Sequence, residues 1–202
     1  MAALTLYTNP MSRGRIARWM LEEVGAPYEV TILDYQSGMK SPAYRAINPM
    51  GKVPALTHGD RVVTETAAIC AYLADAFPEA KLAPPLDQRA AYYRWMFFAA
   101  GPLEGALTAR GIGLVPPADK ARQLGYGSIE TTLDTLEAHL EASTFMAGDT
   151  FSAADIYGGS QLLYGMMFKT VDERPAFTAY KERLVQRPAF GRANSLDEAA
   201  AA

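Results

Sequence analysis

The first 77 residues switch hydrophobic period again and again. Leu4-Thr5-Leu6-Tyr7 alternates with a period of two and predicts a strand. The turn cluster Thr8-Asn9-Pro10 follows. Ile16, Trp19, Met20 and Val24 then recur at helical spacing, with Ser12 placed as an N-cap and Gly25 as a stop. Tyr28 to Leu33 is rich in β-formers and predicts a second strand, and Ser41 to Ala46 a short helix. Val53 to Thr57 and Arg61 to Val63 flank His58-Gly59-Asp60 as the arms of a hairpin. Thr64 stands as the cap of a helix running to about Phe77. Beyond the Pro-rich linker at 78–86 the strand pattern disappears. Arg89 to Ala100, Tyr126 to Leu140, Ser152 to Phe168 and Ala176 to Gln186 all read as helices, and the terminal alanine tail reads as frayed. The expected architecture is an α/β domain over 1–80 followed by an all-α domain over 87–202.

Composition narrows the function classes. Half of the 202 residues are hydrophobic and 20% are charged, which is the globular regime. A net charge of -3 leaves no basic footprint for nucleic acid. The single cysteine, Cys70, forms no intramolecular disulfide, and with only His58 and His139 it falls short of a structural zinc set. The opening MAALTLYTNP lacks the basic and apolar regions of a signal peptide, and no stretch is apolar enough for a membrane span. The expectation is a soluble, cytoplasmic protein with no metal, no membrane and no nucleic-acid partner.

Three segments carry candidate chemistry. In Tyr7-Thr8-Asn9-Pro10-Met11-Ser12-Arg13-Gly14-Arg15, a hydroxyl sits at a helix N-terminus, where unpaired N–H groups and the dipole favour an anion or a thiolate. Arg13, Arg15 and Arg18 add positive charge. On the residues alone a plain N-cap is the more ordinary reading of Ser12, because serine caps are common. In Asn48-Pro49-Met50-Gly51-Lys52-Val53-Pro54-Ala55-Leu56, Pro54 enters a strand after a Gly-containing turn. It is either a cis-proline, which offers the Val53 backbone to an extended peptide, or an ordinary turn. Thr64-Glu65-Thr66 opens the next helix. There Glu65 suits the dipole in any case, and a ligand with both an ammonium and a carboxylate would engage Glu65 and Thr66.

Together these segments resemble the glutathione transferase family. LTLYTNPMSRGRIARWMLEEVGAPYE is similar to the family's first strand and helix, INPMGKVPAL to its cis-proline loop, and TETAAICAYLADAFP to the helix that holds the γ-glutamyl group. FSAADI, residues 151–156, is similar to the staple and capping segment of the helical domain, with Ser152 as N-cap and Asp155 at N3. The resemblance implies a thioredoxin-like N-terminal domain, an all-helical C-terminal domain, glutathione as cosubstrate and a homodimer. It implies that Val53 and Pro54 pair with the cysteinyl backbone, that Glu65 and Thr66 anchor the γ-glutamyl end, and that Lys40 and Lys52 lie at the glycine end. Met39 stands where many members have histidine, and Lys52 where many have glutamine. For the thiol-activating residue the resemblance to serine-using, theta-like members implies Ser12, with Tyr7, Thr8 and Arg15 as alternatives.

A free thiol has a pKa of about 8.5, and lowering it by two units takes about 2.7 kcal/mol of differential stabilisation. A donating Ser12 hydroxyl, the helix dipole and nearby arginines would share that. The thiolate then attacks an electrophilic, mostly apolar cosubstrate, expected between the domains against Met11, Trp95, Phe98, Tyr164, Met167 and Phe168. Arg94, Glu104 and Arg110 are polar groups of the cleft or members of salt bridges. A dehalogenase, an ether-cleaving enzyme, an isomerase or a non-catalytic glutathione-binding protein are the alternatives. A thiol transferase is disfavoured, because no cysteine lies near the first helix and Cys70 reads as a small buried hydrophobe.

Overall fold

A computed structural model of the chain describes residues 2–114 and 116–201. Strand β1 (Leu4–Thr8) leads into helix α1 (Gly14–Val24), and then come β2 (Glu29–Ile32), α2 (Pro42–Ile47), the hairpin β3 (Ala55–His58) and β4 (Arg61–Thr64), and α3 (Thr66–Ala76). The sheet order is β2-β1-β3-β4, with β2 parallel to β1 and the other pairings antiparallel. The parallel pair needs a crossover, and α1 supplies it. Alternation along β1 buries Leu4, Leu6 and Thr8 completely or nearly so. Tyr7 points to the other face, where it packs with Met39, Tyr44, Leu33, Ile47, Val53 and Ala55.

Local signals explain most element ends. Gly25 closes α1 in the left-handed conformation at φ 73°. Ser41 caps α2 by accepting from Tyr44 N–H. The start of α3 differs from expectation. Thr64 is still strand, paired with Ala55, and the N-cap position belongs to Glu65 at φ 66°, ψ 120°.

The remaining helices are α4 (Ala90–Phe98), α5 (Glu104–Gly111), α6 (Ile129–Ala142), α7 (Ala153–Met167), α8 (Pro175–Val185) and α9 (Pro188–Ala201). Two of these, α5 and α9, extend the expected set. Between α4 and α5 the backbone runs through a π-helical turn, Ala99–Leu103, that contains Pro102. Proline brings no N–H to the ladder, and the wider turn absorbs the missing bond. α9 covers the alanine-rich tail, so that tail is helical rather than frayed.

Contacts divide the chain into two units, Met1–Leu82 with Gln186–Ala202, and Ala83–Val185. Residues 186–202 join the first unit because α9 lies against α1. The buried Arg18 Nε donates to Asp197 Oδ1 at 2.8 Å, Trp19 meets Phe190 edge to face at 5.0 Å, and Arg187 grips both carboxylate oxygens of Glu23.

The second unit is built around α7, whose residues from Ala153 to Leu162 are all buried. Its start is the expected capping box. Asp155 Oδ2 accepts from Ser152 N–H at 2.9 Å and from the Ser152 hydroxyl at 3.0 Å. Its Oδ1 accepts from Met146 N–H at 2.7 Å and from the Tyr180 hydroxyl at 2.6 Å. Gly159 lets α8 approach, since a Cβ there would collide with Leu184.

Candidate functional site

Sheet register brings the three candidate segments together. Tyr7 pairs with Ala55, and Ala55 pairs with Thr64. The segment leaving β1 toward Ser12, the segment entering β3 through Val53 and Pro54, and the segment leaving β4 through Glu65 therefore meet at one end of the sheet. β2 ends there too, with Thr8 paired to Ile32.

At the first segment, Asn9 organises the turn. Its Nδ2 donates to Leu33 C=O at 2.9 Å, and its Oδ1 accepts Met11 N–H at 2.9 Å. Its carbonyl accepts both the Ser12 hydroxyl at 2.7 Å and Ser12 N–H at 3.1 Å. Ser12 Oγ in turn accepts Gly14 N–H at 2.9 Å. Ser12 thus caps the first turn, although the formal N-cap position is Arg13. The half-buried hydroxyl lies among amide N–H groups at the positive end of an 11-residue helix.

Two of the arginines expected to assist are committed elsewhere. Arg15 donates to Asn194 Oδ1 at 3.0 Å, and Arg18 is held by Asp197. Tyr7 lies in the core on the α2 face, its ring 5.7 Å from that of Tyr44. Thr8 is fully buried beneath α1, and its Oγ1 has no hydrogen-bond partner among the described residues.

At the second segment the Val53–Pro54 bond is cis, one of the two readings open in the sequence. Val53 lies just before β3, outside the ladder. The loop is held from behind, since Lys52 C=O accepts from the Tyr44 hydroxyl at 2.6 Å and from Asn48 Nδ2 at 2.8 Å. Burial pushes the Tyr44 hydroxyl up to about 12, so it stays a donor across the physiological range. The Lys52 side chain is exposed. Lys40 ends a short 3₁₀ turn, Gly38–Lys40, and its Nζ donates to Gly51 C=O at 2.7 Å. That turn hangs on Asp34, whose carboxylate accepts from Gln36, Ser37 and Gly38 N–H and from the Ser37 hydroxyl. These donors hold the Asp34 carboxyl well below the usual range.

At the third segment Glu65 is exposed and Thr66 is buried. A non-glycine residue at φ 66°, ψ 120° costs on the order of 1–3 kcal/mol. No side-chain capping bond accompanies that strain.

Sequence reasoning missed Asn9, Tyr44 and Asn48 as supports of these loops. Asn-Pro is a turn signal, and an Asn in such a turn satisfies neighbouring backbone groups. That signal marks Asn9 and Asn48, whereas nothing in the sequence marks Tyr44. Of the expected cosubstrate residues, Trp95 is core, buried and stacked on His139 at 4.0 Å. Met11, Met167 and Phe168 are exposed, at 76%, 60% and 68%. Phe98 and Tyr164 are half-buried, with Tyr164 stacked on Phe168. Glu104 Oε2 accepts the Tyr157 hydroxyl at 2.5 Å, and Arg110 pairs with Asp172 at 3.2 Å. Cys70 is completely buried, and burial raises its thiol pKa well above the ordinary value.

A thioredoxin-like sheet with a cis-proline loop at one end, joined to an all-helical unit, defines a class of thiol-handling proteins. Residues 2–75 match the glutathione S-transferase N-terminal domain, and residues 119–188 the glutathione S-transferase C-terminal domain. A maize (Zea mays) protein, glutathione S-transferase 3, is 31% identical over 94% of this chain and 92% of its own length. The glutathione S-transferase of Xylella fastidiosa superposes with a TM-score of 0.81 at 28% identity, covering 96% of this chain and 98% of that one. The theta class enzyme of Xanthomonas axonopodis pv. citri, solved with glutathione bound, gives 0.76 at 30% identity over 96% and 97%. The chain belongs to the glutathione S-transferase family.

Proposed function

We propose that this glutathione transferase binds glutathione across the end of its sheet and activates the thiol with Ser12. The observation that carries the reading is the register Tyr7–Ala55–Thr64, which gathers Ser12, Val53-Pro54 and Glu65-Thr66 on one edge. Glutathione is a short extended peptide with a charged group at each end and a thiol between, and the edge matches that order. Glu65 takes the γ-glutamyl ammonium, while the Thr66 hydroxyl and N–H at the start of α3 take its carboxylate. The Val53 backbone pairs with the cysteinyl residue as a short strand would. Lys40 and Lys52 attract the glycine carboxylate. The strain at Glu65 supports this assignment, since strained non-glycine backbone collects at ligand-binding positions.

The sulfur then lies at the N-terminal turn of α1. Ser12 turns its proton from the Asn9 carbonyl to the sulfur, and the helix dipole adds to the stabilisation. The thiol proton leaves to solvent, and the thiolate forms a C–S bond to an electrophilic carbon as the leaving group departs or the electrons shift onto an acceptor. The serine is a donor to the nucleophile throughout. Within the second unit, Met167 and Phe168 at the end of α7 are exposed and apolar. Exposed Tyr93 and Phe97 of α4, the latter at 71%, support a homodimer through that helix.

The test is glutathione binding and conjugation of a model aryl halide by the wild type and by Ser12→Ala. Losing about two pKa units of activation, from about 6.5 back to about 8.5, lowers the thiolate fraction at pH 7 about 25-fold, so turnover falls on the order of 10-fold or more. Undiminished turnover in the variant removes Ser12 from the role, and absence of glutathione binding overturns the whole reading.

A further inference from the structure

The N-terminal turn of α1 is bordered by two hydroxyls, and only one of them is satisfied. Ser12 Oγ accepts from Gly14 N–H and donates to Asn9 C=O. Thr8 Oγ1, fully buried, has no partner among the described residues. An unpaired buried hydroxyl carries a desolvation penalty that a valine of the same shape would avoid. Packing alone therefore gives no reason for threonine at this position.

Both oxygens face the same small space. A Cβ added at Gly14 would collide with Thr8 Oγ1 and lie 3.0 Å from Ser12 Oγ. Gly14 is not among the positive-φ glycines, so what it supplies is room and not backbone freedom. That room lies between the two hydroxyls.

We propose that Thr8 is a positioning residue for thiol activation, its hydroxyl donating to Ser12 Oγ when Ser12 donates to the glutathione sulfur. This rests on the reading of Ser12 as the sulfur's donor. The hydrogen-bond accounting closes. A serine oxygen has two acceptor sites, and Gly14 N–H fills one. When Ser12 turns away from the Asn9 carbonyl, that carbonyl keeps Ser12 N–H at 3.1 Å. The rearrangement orphans no group and satisfies the one that began orphaned. A donor that itself accepts a hydrogen bond is polarised and becomes a stronger donor, so the chain Thr8–Ser12–sulfur favours the thiolate. No covalent bond changes, and neither hydroxyl loses its proton.

The bound-thiol pKa reports this directly, through the ultraviolet absorbance of enzyme-bound glutathione thiolate as pH is varied. Thr8→Val is expected to raise that pKa by about half a unit, about a threefold shift in the thiol–thiolate equilibrium, with glutathione affinity changed by less than about twofold. Thr8→Ser, which keeps the hydroxyl and loses the methyl, is expected to restore the wild-type pKa. In a Ser12→Ala background, Thr8→Val is expected to add nothing. An unchanged pKa in Thr8→Val, read on protein whose melting curve shows it folded, makes Thr8 a packing residue and overturns the proposal. An equal shift with and without Ser12 places Thr8 on the sulfur itself and overturns it as well. If Ser12→Ala leaves the thiol pKa unmoved, the Ser12 reading fails and the relay falls with it. If Ser12→Ala raises it and Thr8→Val does not, only the relay fails.

Discussion

Glu65 separates stability from binding within a single residue. Its backbone occupies a region that glycine tolerates and other residues do not. Glu65→Ala keeps the strain and removes the carboxylate, whereas Glu65→Gly removes both. We expect Glu65→Gly to be the more stable of the two by roughly 1 kcal/mol, since relief of strain outweighs the added freedom of the unfolded chain. On the proposed role of Glu65, both variants lose a charge-assisted hydrogen bond to the ligand ammonium, so glutathione affinity is expected to fall about tenfold or more in each. Denaturant unfolding beside calorimetric titration checks both halves. Cys70 gives a complementary prediction. Buried and held as the thiol, it is expected to resist maleimide in the native state and to react only on unfolding. Cys70→Ala is expected to leave conjugation intact, because the working sulfur arrives with glutathione.

Helix-level features were unequally legible. The sequence located α1, α6, α7 and α8 to within a few residues, with apolar residues at helical spacing in α1 and the Ser152–Asp155 capping box opening α7. It missed α5, because Gly101, Pro102 and Gly105 read as a break where the backbone widens into a π turn and continues. It missed α9 because short alanine-rich segments show little contrast between faces, and what fixes the helix is Asp197 meeting Arg18. At the candidate site local chemistry made the turn at Val53–Pro54 readable, with the cis bond as one of two alternatives. The site was illegible where a distant packing partner decides, as in the diversion of Arg15 to Asn194 and the burial of Trp95.

The junction of α4, α6 and α7 should respond to acid. His139 Nε2 donates to Met146 C=O at 2.9 Å, and its ring stacks on Trp95. Burial lowers its pKa, so the folded state keeps the imidazole neutral where the unfolded chain takes up a proton near pH 6.5. A depressed pKa means stability that is full above about pH 6.5 and is lost as pH falls through the folded value. Unfolding free energy should therefore decline on acidification over that range, and His139→Gln should flatten the slope. An equal slope in the variant would assign the loss to other groups.

At the scale of the whole molecule, the two compact units carry different parts of the expected chemistry, with the glutathione segments on the first and the exposed apolar turn of α7 on the second. Among the described residues no helix is long and apolar enough to cross a membrane. If α4 forms a dimer contact, Phe97→Glu should move the sedimenting species from dimer to monomer. A wild type that sediments as a monomer would overturn the dimer itself. The buried Arg18–Asp197 pair makes a sharper test of the first unit. Asp197→Ala leaves a guanidinium buried without its counter-charge, at a cost of roughly 3–5 kcal/mol, enough to lower the melting temperature by many degrees.

That pairing also orders events in time. Arg18 and Asp197 are separated by 179 positions, and the unit that carries the glutathione segments is assembled from both ends of the described chain. A ribosome making this protein delivers β1, α1 and the proline loop first, and only much later the helix that neutralises Arg18. The helical unit, continuous in sequence, is free to fold in the interval. The first unit is therefore completed only after the helical unit has been made, and a chain halted before α9 would carry every residue proposed to face glutathione on a scaffold with an uncompensated buried charge.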